Sequence, residues 1–107
     1  MSIEIYNLRK QKPTQPYDVR VDRQSVLGNP FFMKDESQRD SVCDKYQMYF
    51  DKQIIDDTVF AKEFKNELQK LISIYKQHGK LRLFCWCFPL RCHAETIRNY
   101  ILEVCGL

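Results

Sequence analysis

The chain is expected to fold as one small α/β layer domain of about three strands and three helices. Two short segments near the N-terminus alternate apolar and polar residues at period two. Two long segments then place apolar residues three and four apart. A nearly continuous apolar run follows them and feeds a last, short helix. With 107 residues, dividing the chain would leave two pieces too small to bury adequate cores, so residues 1–107 are expected to form a single domain.

Ile3-Glu4-Ile5-Tyr6-Asn7-Leu8 alternates as a strand with one buried face should. Residues 9–16 are polar and hold two prolines, which marks a loop. Tyr17-Asp18-Val19-Arg20-Val21 alternates again and suggests a second strand, paired with the first as a hairpin. Leu27-Gly28-Asn29-Pro30-Phe31-Phe32 has neither period and reads as a shaped turn. A first helix is expected from Glu36 to about Gln53, with Val42, Tyr46, Tyr49, Phe50 and Gln53 near one face. The second helix has the clearest pattern: Phe60, Phe64, Leu68, Leu71, Ile72 and Tyr75 share a face, Asp56 and Asp57 stand at its start, and Gly79 follows it. Lys80 to Cys87 should be a central strand covered on both faces. The last helix is expected from near His93 to Cys105, with Ile97, Ile101 and Val104 turned inward.

Composition narrows the function. The formal net charge of +3, with acidic and basic residues interspersed, makes nucleic acid an unlikely partner on electrostatic grounds. No apolar run approaches the roughly 18 residues of a membrane span, so no membrane partner is expected. The first residues lack the basic and apolar regions of a signal peptide. The five cysteines are odd in number and four lie in the last quarter, so they read as thiols in a reducing cytoplasm.

Chemistry concentrates in Cys85-Trp86-Cys87-Phe88-Pro89-Leu90-Arg91-Cys92-His93-Ala94-Glu95, where a strand ends, a loop crosses and a helix begins. Open α/β sheets bind ligands at that place, and a helix N-terminus there favours an anion. Arg91 would add a bidentate contact. Cys92, in or before the first helical turn, should be acidified and is the candidate nucleophile. His93 should be held neutral and Glu95 supplies a carboxylate, although neighbours in sequence seldom face each other and His78, at the helix-loop junction before Gly79, is most simply a partner of that helix's dipole. Buried core thiols are the plainer reading for Cys43, Cys85, Cys87 and Cys105. Zinc is the alternative, through Cys85, Cys87, Cys92 and His93, against a strand spacing of roughly 6.5–7 Å between the first two. His93-Ala94-Glu95 also has the form of a zinc-deaminase motif, but after Glu95 only Cys105 remains, so the required cysteine pair is missing.

A second constellation runs from Arg23 through Ser25, Gly28 and Asn29 to Phe31. Gly28 and Asn29 tolerate left-handed backbone, and exposed N–H groups in such a turn can cradle an anion. The plainer reading is a connecting turn. Arg39, a turn or two into the helix beyond, either lines the same pocket or is solvated.

Asn7-Leu8-Arg9, the Arg-x-Ser-x-Leu-Gly-Asn-Pro-Phe turn at 23–31, the stretch from Arg39 to Tyr46, and Cys85-Trp86-Cys87 through Cys92-His93-Ala94 together resemble a family. It is the domain-of-unknown-function family numbered 4326, found in bacteriophages and bacteria; Glu95 stands where aspartate is more usual. The resemblance implies a Rossmann-like α/β fold in a cytoplasmic protein, in the host cytoplasm if phage-encoded. It also implies that the turn and the cysteine loop form one pocket, and it supplies no reaction. The leading expectation is therefore a nucleotide-like or phosphorylated ligand held by Arg23, Ser25, Gly28, Asn29, Arg39 and Arg91, with Cys92, His93 and Glu95 beside it. The alternatives are a non-catalytic protein that docks on a host or defence protein through an aromatic patch of Tyr6, Tyr17 and Tyr100, and a zinc-stabilised structural domain.

Overall fold

The computed structural model describes residues 2–106. Strand β1 (Ser2–Asn7) and strand β2 (Asp18–Arg20) flank strand β3 (Lys80–Cys85) in a three-stranded parallel sheet of order β1-β3-β2. Asn7 lies opposite Cys85 and Arg20 opposite Phe84, so all three strands finish at one edge. Backbone bonds carry both pairings past the strand ends, from the Leu8 N–H to the Cys85 carbonyl and from the Val21 N–H to the Phe84 carbonyl.

The expected hairpin between β1 and β2 does not form. Alternation shows that a segment is extended but not which strand it pairs with. The most apolar strand takes the centre and separates the other two. Its two faces are covered differently: Leu81, Leu83 and Cys85 face the main core, whereas Phe84, also fully buried, lies outside that core, stacked with Tyr6 at 5.5 Å and near the Arg82 guanidinium. Arg82 pairs with Asp18 at 2.6 Å across the same region.

Helix α1 (Arg39–Ile55) follows a 3-10 turn at Glu36–Gln38, helix α2 spans Val59–His78, and helix α3 spans Ala94–Val104. The Thr58 hydroxyl caps α2 by accepting from the Ala61 N–H, and Gly79 ends it in the left-handed conformation. The helices bury Tyr46 and Phe50 from α1, Phe64, Leu68, Leu71, Ile72 and Tyr75 from α2, and Ile97 and Ile101 from α3 in one core with the sheet. Phe60 and Val104, expected inside, are exposed because they lie at the helix ends, beyond the sheet's cover. Strand β3 stops at Cys85, two residues early, where Trp86 turns out toward solvent.

Candidate functional site

The chain leaving β2 buries Val21 and Asp22, then folds into the 22–33 turn. The Asp22 carboxylate accepts from Arg20 and, at 2.9 Å, from the Trp86 indole. Burial pushes its pKa up, but those two donors outweigh burial and hold it below the usual carboxylate range. The turn is closed by its own hydrogen bonds. The N–H groups of Ser25, Gly28, Leu27 and Phe31 go respectively to Asp22 O, Ser25 O, Ser25 Oγ and Asn29 Oδ1. Tyr46 of α1 ties the turn down by donating to Leu27 O at 2.7 Å.

The left-handed backbone that Gly28 and Asn29 would tolerate is not used. Neither Gly28 nor Asn29 adopts positive φ. Gly28 is needed for close approach instead, since a Cβ there would lie 2.5 Å from Asp22 O and 2.7 Å from Arg23 Cα. The N–H groups of Ser25, Leu27, Gly28 and Phe31 are spent within the turn and are not offered to an anion.

The cysteine loop is pinned from β1. Asn7 Nδ2 donates to Phe88 O at 2.7 Å and to Trp86 O at 3.2 Å. A turn closed by the Leu90 N–H on Cys87 O, with a cis Phe88–Pro89 bond, brings Cys92 back beside Cys85 and Cys87. The three thiols influence one another's acidity, with Cys92 as the common neighbour. Cys92 hydrogen bonding lowers Cys85 to about 7 and Cys87 to about 6, the latter with help from the Arg39 guanidinium. Cys92 moves the opposite way. Its two thiol neighbours and its burial push it well up, so it keeps its proton. The acidified cysteines are therefore Cys87 and Cys85, not Cys92. The local environment outweighs position at the helix start, even though the Ala94 N–H points at the Cys92 sulfur.

His93 also departs from expectation. Although adjacent in sequence, Cys92 Sγ and His93 Nδ1 lie 3.5 Å apart. His93 Nε2 meets Val21 O, which can only accept, so the neutral ring carries its proton on Nε2 and leaves Nδ1 as an acceptor. Burial lowers its pKa, as expected. With Nε2 committed to Val21 O, only Nδ1 keeps a lone pair. Among the described residues no three of His, Cys, Asp and Glu gather as a metal-holding group. The four-residue zinc set is not assembled.

The turn and the loop enclose a cavity of about 480 Å³ at the carboxyl edge of the sheet. Of the expected residues, Arg23, Asn29, Arg39, Arg91, Cys92 and His93 line it, whereas Ser25, Gly28 and Glu95 do not. Ser25 and Gly28 shape the turn behind the wall, and Glu95 is used locally as acceptor for the Cys92 N–H. The lining that sequence reasoning missed includes Asp22, Phe32, Cys43, Trp86 and Cys87. The 85–92 spacing did mark Cys87, but strand alternation pointed it toward the core. The tyrosines expected as an exposed patch are half-buried, with Tyr6 on Phe84, Tyr17 against His78 and Tyr100 against Phe50.

The three arginines at the cavity are not equivalent. Arg39 forms a two-point pair with Glu36, and Arg91 is held by Asp40 and Asp44. Arg23 donates only to main-chain carbonyls, those of Asn29 and Phe31, each at 3.0 Å. Its guanidinium lies 4.2 Å from the centre of the Phe32 ring, and Phe32 is 76% exposed.

A family model described as Domain of unknown function (DUF4326) matches residues 6–103, nearly the whole chain. The chain belongs to the DUF4326 family. No curated protein and no solved structure matches it. In this DUF4326 member the segments that carried the resemblance converge on one place: Asn7 holds the cysteine loop, and the turn from Arg23 to Phe31 faces it across the cavity. Among the described residues no helix is long and apolar enough to cross a membrane.

Proposed function

We propose that the cavity binds a small anionic ligand bearing a flat ring, of the nucleotide or phosphorylated-cofactor kind. The observation that carries this reading is Arg23, whose charge no carboxylate offsets among the described residues. It stands at the mouth of the cavity against an exposed Phe32, with the half-exposed Trp86 also on the wall. A guanidinium held by neutral carbonyls keeps its full charge for a phosphate or carboxylate oxygen. Exposed ring faces beside it offer stacking to a base or heterocycle. The volume suits a single small molecule, since such sites run roughly 300–1,000 Å³. The position at the carboxyl edge of a parallel sheet is where α/β proteins place such ligands.

Arg39 and Arg91 enter this reading as members of ion pairs that fix the wall, not as free anion contacts. A thermal-shift screen of the purified chain with nucleoside mono- and diphosphates and sugar phosphates tests it. A rise in Tm with ring-bearing phosphates, absent in Arg23→Gln, is expected. No shift with any compound at millimolar concentration would overturn it.

A second reading draws on one observation. Phe32 and Trp86 on the cavity wall, and Phe88 and Leu90 in the cysteine loop, expose apolar surface, as a face that docks on another protein, including a host protein, would. Partner capture that survives Arg23→Gln and fails in Phe88→Ser would favour it.

A further inference from the structure

Trp86 is half-exposed, yet it is held at both its backbone and its ring. Its carbonyl accepts from Asn7 Nδ2 of β1 at 3.2 Å, and its indole N–H donates at 2.9 Å to Oδ2 of Asp22, just beyond β2. The second hold uses a buried charge. Asp22 is only 5% exposed, and a carboxylate taken out of water loses solvation that its partners must restore. Arg20 supplies most of that by donating to both carboxylate oxygens. The N–H of a half-exposed indole needs no such partner, because water would serve it nearly as well. The bond to Asp22 therefore serves the direction of the ring. Phe32, the other exposed ring on the cavity wall, has no hydrogen-bonding group to anchor it, and the Arg23 guanidinium already lies over it at 4.2 Å.

Resting on the ligand reading above, we infer that Trp86 determines the specificity of the site as a fixed plate on which the ligand's ring stacks, and that Asp22 is its positioning residue. Arg23 takes the anion and Trp86 takes the ring. The ligand class narrows to small molecules that carry a planar heterocycle and a phosphate together, as nucleoside monophosphates do. A sugar phosphate without a base would engage only the Arg23 end. A plate fixed before binding loses no freedom when the ligand arrives, so more of the stacking appears as affinity. Stacking of a base on an aromatic side chain is worth roughly five- to 150-fold in affinity and tolerates any base. Asp22 acts through a shared atom, since Oδ2 accepts from both Arg20 and Trp86. In Asp22→Asn one oxygen remains, and the charge-assisted bond to Arg20 claims it. The amide N–H groups then face the indole N–H, donor against donor, and the ring is released with little change in side-chain shape.

The test compares the four common nucleoside monophosphates with ribose-5-phosphate by calorimetry in the parent, Trp86→Leu and Asp22→Asn. The parent should bind the best nucleotide more tightly than the ringless sugar phosphate by roughly five-fold or more. That ratio should fall to near one in Trp86→Leu, with the affinity for ribose-5-phosphate unchanged, and should fall part of the way in Asp22→Asn. Time-resolved anisotropy reads the plate without any ligand, because Trp86 is the only tryptophan. Its decay should follow the tumbling of the whole protein in the parent and gain a fast component, of nanoseconds or less, in Asp22→Asn. A parent ratio near one, or a ratio that survives Trp86→Leu, would overturn the plate while leaving Arg23 as an anion contact. A ratio that falls in Trp86→Leu but not in Asp22→Asn, or fast ring motion already present in the parent, would overturn the role of Asp22. Binding of neither kind of compound to the parent would overturn the ligand reading and the plate with it. If Asp22→Asn fails to fold, the parent anisotropy and Trp86→Leu, which alters a half-exposed side chain, still decide.

Discussion

Replacing Gly28 with alanine tests how the cavity wall is built, because two physical effects of opposite sign meet there. Gly28 does not need positive φ. In a backbone that alanine can adopt, glycine to alanine normally stabilises by about 0.4–1 kcal/mol, because the unfolded chain has fewer conformations to lose. Against that gain, the new methyl carbon would lie 2.5 Å from Asp22 O, 2.7 Å from Arg23 Cα and 2.9 Å from Asp22 C. All three atoms are main chain and cannot rotate away. Asp22 is further held by Arg20, by the Trp86 indole and by the Ser25 N–H on its carbonyl. Overpacking of this kind costs about 1–3 kcal/mol, so Gly28→Ala should lose about 1–2 kcal/mol overall. The corresponding fall in Tm is roughly 5–10 °C for a domain of this size. Urea unfolding followed by fluorescence is the assay, since Trp86 is the only tryptophan. The midpoint should fall with the slope unchanged. A variant as stable as the parent, or more so, would show that the 22–28 contact is looser than described and that the turn does not rigidly position Arg23.

Two tyrosines should respond oppositely to loss of the hydroxyl. Tyr46→Phe leaves Leu27 O without its buried donor and should cost about 1–2 kcal/mol, whereas Tyr75→Phe removes a buried hydroxyl with no protein partner and should be neutral or stabilising by up to about 1 kcal/mol, both read by urea midpoint. Asn7→Ala releases the Trp86 and Phe88 carbonyls and should speed amide exchange across the loop from Trp86 to Leu90 while sparing α2. Asp18 supplies a pH signature: burial raises its pKa, but Arg82 and the Thr14 and Gln15 N–H groups outweigh burial and set it below 3.8. Its contribution is therefore complete above that ordinary value and is lost as pH falls through the lower folded value, so Asp18→Asn should be destabilising at pH 7 but flatten the acid limb of the stability profile.

How much of this was legible in the sequence depended on the range of the interaction. Helix α2 was readable because its signals are local: Phe64, Leu68, Leu71 and Tyr75 at helical spacing, and Gly79 as its terminator. The pairing of the strands was not, since Ile3-Glu4-Ile5 and Asp18-Val19-Arg20 alternate alike whatever lies beside them. Six of the nine expected site residues line the cavity because the turn and the cysteine loop both leave the carboxyl edge of the sheet. The acidified thiol fell on the wrong cysteine because it depends on the return of Cys92 beneath Cys87 and on Arg39 from another element. The pairing of Arg91 with Asp40 and Asp44, some fifty residues away, lay equally beyond local reading.

The most direct test of the central claim is a titration of Trp86 fluorescence with ring-bearing phosphates, run in parallel on the parent chain and on Arg23→Gln. Trp86 lines the cavity and is the only tryptophan. Saturable quenching is expected in the parent. Loss of one charge-assisted contact, about 1.5–3 kcal/mol, should weaken it by roughly ten- to a hundred-fold in the variant, with urea stability nearly unchanged. Equal affinity in both proteins, or no saturable change in the parent, would contradict it.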